Sequence, residues 1–298
     1  MSLLAKVKSG VQLGPQTWVI HGPVKKGKTS LAAQFPKPIF ADIDKGTGNL
    51  DVQRLTPDDL PDFASLMSFY DELLAQAKNK QFETVVTDSA TVLQQYVVAH
   101  ICKEGNKKSL GEFGHGDGYV RLEKAMSEWV KKQQLLKEAG YHVILVAHSK
   151  LKQFTDPIVN AEYTRYLIQG DDRLQAAVKA GFDNILFVNS EVTTYEDKNK
   201  TRAQSDGESY IFCTHTAAFD AGNRLNLPPK LPLSFTAINK AYMDYKPLPQ
   251  ALKLEIEALL ERGEASKVEA ARKAMAVAGN DVYELGRIKQ KLATLVAV

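Results

Sequence analysis

An α/β domain, with a mostly parallel central sheet flanked by helices and a mostly helical C-terminal extension, is the fold class this sequence predicts. Three observations carry it. Residues 22–29 match the pattern G-x-x-x-x-G-K-[ST] in full, between a β-forming run (17–21) and a helix-compatible run (30–35). Apolar runs at 38–44 and 82–89 each end in acids, as buried strands with polar carboxyl ends do. Segments of helical period separate these runs, which is the alternation expected of parallel strands joined by crossover helices.

The first element is the 22–29 match. Gly22, Pro23, Val24, Lys25, Lys26, Gly27, Lys28 and Thr29, with Ser30 following, form a strand-to-helix turn whose backbone N–H groups can surround phosphates. The helix N-terminus adds unpaired donors and a positive dipole end. Lys28 would reach the β- and γ-phosphates and the Thr29 hydroxyl would ligate Mg²⁺. The expected ligands are therefore ATP and Mg²⁺. A chance glycine-lysine loop is the alternative, and the strand and helix on either side argue against it.

The chain has 298 residues, 44% of them hydrophobic, so a sizeable core is expected. The formal net charge of +3 neither demands nor excludes a nucleic-acid partner, because patches matter more than totals. Cys102 and Cys213 have no metal-ligand spacing and read as two reduced thiols. No N-terminal apolar signal region or bilayer-length apolar run is present, which predicts a soluble, intracellular protein without a membrane partner.

After the first helix, Pro36 and Pro38 act as stops. The second strand, 38–44, places Asp42 and Asp44 at its carboxyl end, where α/β sheets line their ligand crevice. Solvated loop acids are the alternative for either. Residues 58–80 read as a helix capped around Thr56-Pro57-Asp58, with Phe63, Leu66, Met67, Tyr70, Leu73 and Leu74 at helical spacing. The strand 82–89 ends in Asp88-Ser89, and downstream of a phosphate loop Asp88 is expected to reach Mg²⁺. Residues 91–103 are helical. The glycine-dense stretch 103–118 predicts a mobile loop. A long amphipathic helix over 119–139 gives way at Gly140 to a buried strand, 141–147, followed by His148. His148 either senses the γ-phosphate or closes a strand. Residues 151–173 read as irregular, 174–180 as a short helix and 183–189 as a strand. Residues 192–195 and 209–215 read as the two arms of an antiparallel hairpin. Pro247 and Pro249 mark a boundary, giving a core over 1–246 and a helical extension over 247–298.

The order of these motifs between Trp18 and Pro229 resembles the RecA-like branch of P-loop ATPases. It is most similar to the phage recombination ATPases of the Sak-four type, described as single-strand annealing proteins. The resemblance implies a RecA-like P-loop NTPase core. It also implies a phage protein acting in the cytoplasm of a bacterial host. In such proteins a carboxylate after the second strand polarises the attacking water, a role that carries over best to Asp44, although Glu is more frequent there. His148 takes the place of the γ-phosphate sensor, and 151–173 the place of the DNA-touching loop. Arg224 resembles the arginine of a Lys-x-Arg finger that reaches a neighbouring subunit's nucleotide, with Gly222 where the lysine would stand. A surface salt-bridging arginine is the alternative.

The resemblance thus implies an ATPase using Lys28, Asp44, Asp88, His148 and Arg224. Its implied partners are single-stranded DNA, further copies of the same chain in a ring or filament, and a single-strand DNA-binding protein. The DNA would meet 103–118 and 151–173, through Phe113, Phe154, Tyr163 and Tyr166 with neighbouring lysines and Arg165; aromatics packed on the domain or on a neighbouring subunit are the alternative. Two other classes stay open. A GTPase is disfavoured because Asn239-Lys240-Ala241-Tyr242 lacks the acid of a guanine-reading motif, and no arginine-rich lid marks a small-substrate kinase. A non-hydrolysing nucleotide switch is the third.

Overall fold

A computed structural model describes residues 14–155, 160–197, 200–243, 247–261, 265–279 and 282–296. The chain divides into a unit over 15–235 and a second containing 236–298.

In the first unit β1 (Thr17–Gly22) leads into α1 (Lys28–Ala32), and β2 (Pro38–Asp42) and β3 (Gln53–Leu55) follow. Next come α2 (Phe63–Ala75), β4 (Thr84–Asp88), α3 (Ala90–Glu104), α4 (Asp117–Glu138) and β5 (His142–Thr155). Then come β6 (Glu162–Ile168), α5 (Asp172–Gly181), β7 (Asn184–Ser190), β8 (Thr193–Asp197), β9 (Lys200–Gln204), β10 (Ser209–Phe212) and β11 (Lys230–Pro232). Nine strands form one sheet in the order β11-β10-β7-β1-β5-β4-β2-β3, with β6 added to the far end of β5. The strands from β7 to β3 are parallel, and β10, β11 and β6 pair antiparallel. This is the expected α/β class.

Strands β1 and β4 are buried throughout, as parallel strands covered on both faces are. Alternate residues Val19, Ala41, Val85, Val143 and Leu145 point into a core completed by α2, α3, α4 and α5. Across the sheet, α1 packs on β1 and β5, and Trp18 meets the edge of Phe35 at 5.6 Å. The ring of Phe35 lies 4.3 Å from that of Phe235. The strand order places β5 between β1 and β4, so the phosphate-loop strand and the Asp88 strand are not neighbours. The register aligns Gly22 with His148, and Asp88 with Val146 and Asp42. Every polar strand end the sequence singles out therefore opens on one edge of the sheet.

Several local expectations change. Helix α2 starts at Phe63, because Asp62 and Ser65 form a reciprocal capping box. Thr56 instead donates its N–H and hydroxyl to Asp59, a turn that precedes the helix. The stretch 103–118 is compact: it holds two 3-10 turns, and Leu110 and Phe113 are buried in the main core. Residues 151–173 contain a regular β5–β6 hairpin, whose polar and aromatic residues suit a ladder exposed in its outer part and buried at Leu167 and Ile168. The hairpin expected between 192–195 and 209–215 is replaced by a β8–β9 pair, and β10 joins β7 in the main sheet. Ile211 is fully buried there, and burial outweighs the simpler local pairing.

The second unit contains α7 (Pro247–Leu260), α8 (Ala265–Ala278) and α9 (Val282–Val296). Its core gathers Leu252, Ile256, Leu260, Leu285 and Leu292 at helical spacing. The helix α6 (Phe235–Met243) contains the division between the units. Among the described residues, no helix is long and apolar enough to cross a membrane.

Candidate functional site

The phosphate loop closes where β1 ends. A Cβ on Gly22 would lie 2.1 Å from the Val188 carbonyl oxygen, so only glycine lets the loop leave the sheet against β7. Gly27 has φ 85 and a side chain there would also strike Leu233, so the loop needs glycine at both ends. Lys25 is left-handed too, at φ 60, and such alternation turns successive N–H groups into one anion-binding concavity. The loop is tied to β7 by Lys26, which donates to the Ser190 hydroxyl at 2.7 Å. The expected helix dipole is small, because α1 runs only from Lys28 to Ala32. The loop amides and Lys28 carry the electrostatics instead. Pro23 is half-buried, and Val24 and Ser30 are exposed at the loop surface.

Lys28 is 5% exposed and donates to the Pro23 carbonyl at 2.7 Å. Burial lowers its pKa to about 8, with Asp88 opposing the shift. Thr29 donates its hydroxyl to Asp88 Oδ2 at 2.7 Å. Burial raises the Asp88 carboxyl to about 6; the Thr29 bond and Lys28 pull it down, while Asp44 and Asp42 push it up. One hydroxyl and one carboxylate thus face each other beside the loop. That hard oxygen pair fits Mg²⁺, which takes one or two protein oxygens and fills its shell with phosphate oxygens and water. Among the described residues there is no group of three or more His, Cys, Asp or Glu able to hold a metal alone.

The two acids after β2 separate into different jobs. Asp42 is buried and accepts from the Gly46 N–H at 2.7 Å, the Thr47 N–H at 3.2 Å and the Thr47 hydroxyl at 2.5 Å. Its oxygens are committed to building the following turn. Asp44 has a side chain 36% exposed, 3.8 Å from His148 Nε2, and its Oδ2 accepts from Ser89 at 2.6 Å. Lys28, Thr29, Asp88, Asp44 and His148 are therefore gathered at one end of four strands, β1, β2, β4 and β5. Burial lowers the His148 pKa, Lys28 adds to that, and Asp44 opposes it, so a neutral imidazole faces the acid at neutral pH.

Arg224 lies elsewhere. Its Nη1 is 3.3 Å from Asp183 Oδ1, and its N–H donates to Asn184 at the start of β7. Asp183 also accepts from Thr17 at the start of β1. A strand as long as β1 spans roughly 16 Å at about 3.3 Å per residue, so Arg224 is remote from the phosphate loop of its own chain. Its side chain is 71% exposed and salt-bridged.

Sequence reasoning missed His21. It is fully buried before Gly22, with Nε2 2.7 Å from the Asp220 carbonyl and Nδ1 2.9 Å from the Ser149 hydroxyl. A carbonyl only accepts, so Nε2 carries the proton and Nδ1 accepts from Ser149. Burial lowers this imidazole to about 4. Asp220 in turn pairs with Arg165 at 2.5 Å and with Lys179. Only the isolated polarity of His21 within an apolar run could have signalled it.

The aromatic residues expected to meet DNA divide. Phe113 is core, beneath Arg121 and against Gly105. Tyr166 packs on Phe187 at 5.2 Å. Phe154 and Tyr163 stand opposite each other on the β5–β6 hairpin, 6.2 Å apart and stacked, with Lys152 and Arg165 over the Phe154 ring.

A family model described as an AAA domain matches residues 15–225. No curated protein matches the chain.

Proposed function

The chain belongs to the AAA-domain family of P-loop ATPase-like proteins, and from that premise we propose a DNA-recombination ATPase of RecA-like type. It binds ATP with Mg²⁺, hydrolyses it slowly, and binds single-stranded DNA to promote annealing or strand pairing. Residues 22–30 cradle the phosphates, with Lys28 against the β- and γ-oxygens. Thr29 and Asp88 hold Mg²⁺, which neutralises charge on the transferring phosphoryl group when bound. Asp44 orients and deprotonates the attacking water. His148, 3.8 Å from Asp44, would sense the γ-phosphate. The observation that carries this reading is the separation of the two acids: Asp42 is consumed by its turn, whereas Asp44 faces the edge where Lys28, Thr29 and Asp88 meet.

The DNA part of the proposal is supported by the β5–β6 hairpin. The strand bearing His148 continues directly into it, so a ligand there is in covalent register with the nucleotide edge. Phe154 and Tyr163 supply stacking faces and Lys152 a phosphate partner. Arg224, exposed and distant from its own loop, supports assembly of several copies in which it reaches a neighbour's nucleotide.

ATP turnover measured with and without single-stranded DNA tests the proposal. Turnover that requires Mg²⁺ and rises with DNA is the expected result. Binding without turnover would leave a nucleotide switch. Turnover indifferent to DNA, with no salt-sensitive DNA binding, would remove the recombination reading.

A further inference from the structure

Ser89 is the N-cap residue of α3, yet its side chain makes no capping bond. A serine at that position ordinarily accepts from the first-turn amides. Here the hydroxyl donates instead across the site to Asp44 Oδ2 at 2.6 Å, and Ser89 is fully buried. Its backbone carbonyl still receives the first helical bond, from the Leu93 N–H at 2.9 Å, so the residue remains anchored to α3. The Asp44 N–H donates to the Asp88 carbonyl at 3.0 Å. The dipeptide Asp88-Ser89 therefore grips Asp44 by its backbone and its carboxylate, while the Asp88 carboxylate takes the Thr29 hydroxyl.

We infer that Ser89 is a positioning residue, whose hydroxyl holds the Asp44 carboxylate in the orientation needed to meet the attacking water. The inference rests on the proposed role of Asp44 as the water-orienting base. A carboxylate is planar, so fixing Oδ2 also fixes Oδ1. Among the described residues no hydrogen bond reaches Oδ1, and His148 Nε2 faces the already occupied Oδ2. Asp44 is one methylene shorter than glutamate and has little reach with which to correct a misaligned carboxylate. Small displacements of a reacting group cost large factors in rate. The diverted cap is the sign that the hydroxyl is used for Asp44 rather than for the helix.

The test uses the full chain with Mg²⁺ and ATP, comparing Ser89→Ala and Ser89→Cys. Cysteine is close to serine in shape, with a somewhat larger atom at the end, but is a weak donor. Both variants are expected to lose about 10- to 100-fold in kcat, with ATP affinity within about twofold of the parent and an unchanged melting temperature. The Cys variant should lie nearer Ala than Ser. A Cys variant with parental kcat would show that volume matters and overturn the inference. So would an Ala variant with parental kcat, or one whose ATP affinity falls by the same factor as its rate. Failure of both variants to fold would make Ser89 a structural residue and likewise overturn it. If the parent protein binds ATP but shows no turnover, the hydrolytic reading fails first. If the parent turns over and the Ser89 variants match it, this inference alone fails.

Discussion

The Lys28 ammonium is held over the loop by the Pro23 carbonyl and retains its proton at neutral pH even though burial lowers its pKa to about 8. Lys28→Ala removes a buried cation from the phosphate edge. Loss of about 2–4 kcal/mol in ATP binding is expected, on the scale seen when one partner of a buried charge pair is truncated. A titration of the folded variant with a fluorescent ATP analogue checks this, and parental affinity would refute the assignment. The presence of Lys28 and Thr29 at a phosphate loop was legible because the motif is continuous in sequence. The division of labour between Asp42 and Asp44 was not. It depends on Thr47 and Ser89, one from the following turn and one from another strand end.

At the scale of the element, the two candidate DNA-contacting stretches part company. Phe113 lies 8% exposed in the core, and Phe113→Ala should destabilise the protein by about 3–5 kcal/mol. Urea denaturation measures that, and DNA affinity corrected for the folded fraction should stay within twofold. The β5–β6 hairpin behaves differently. Replacing Phe154 and Tyr163 together by Ala should weaken single-stranded DNA binding by about 1–3 kcal/mol per stacked base. Fluorescence anisotropy across a salt series checks it; Lys152→Ala should flatten the salt dependence. Undiminished affinity in the double variant would place any DNA contact elsewhere. Glycine density in 103–118 suggested mobility, yet Gly105 and Gly118 are small because the Phe113 ring and the Leu110 carbonyl crowd them. Glycine marks close approach as readily as freedom, and the sequence does not separate the two.

The whole molecule should respond to acid. His21 and His142 are both lowered to about 4 by burial. The unfolded chain binds their protons from about pH 6.5 downward, so their contribution to stability is complete above 6.5 and is lost as pH falls towards 4. Each shift corresponds to about 3 kcal/mol. Asp88, raised to about 6, acts in the opposite sense over part of this range, stabilising at low pH and losing that contribution as pH rises through 6. Two histidines outweigh one carboxyl, so the unfolding free energy should drop between pH 6.5 and 4. Denaturant titrations at several pH values measure the slope, and His142→Gln should reduce it by about one proton. An unchanged slope would mean His142 is protonated in the folded protein. Assembly is tested at the same scale. In mixtures, Lys28→Ala subunits carrying Arg224 should restore turnover to Arg224→Ala subunits with an intact loop. No restoration in verified mixed assemblies would leave Arg224 as the surface partner of Asp183.

What the sequence alone determined is whatever a contiguous stretch encodes: the phosphate loop, the buried strands with their acidic ends, the amphipathic α4, and hence the α/β class confirmed by the nine-stranded sheet. These follow from hydrophobic period and backbone sterics, which act over a few residues. The tertiary structure decided what depends on residues far apart in the chain. It placed β5 between β1 and β4, and so His148 beside Asp44. It moved β10 into the main sheet, buried Phe113, and drew the Ser89 hydroxyl away from its helix to Asp44. Such pairings are set by packing and by the cost of leaving a buried polar group unpaired, and neither is written in local sequence.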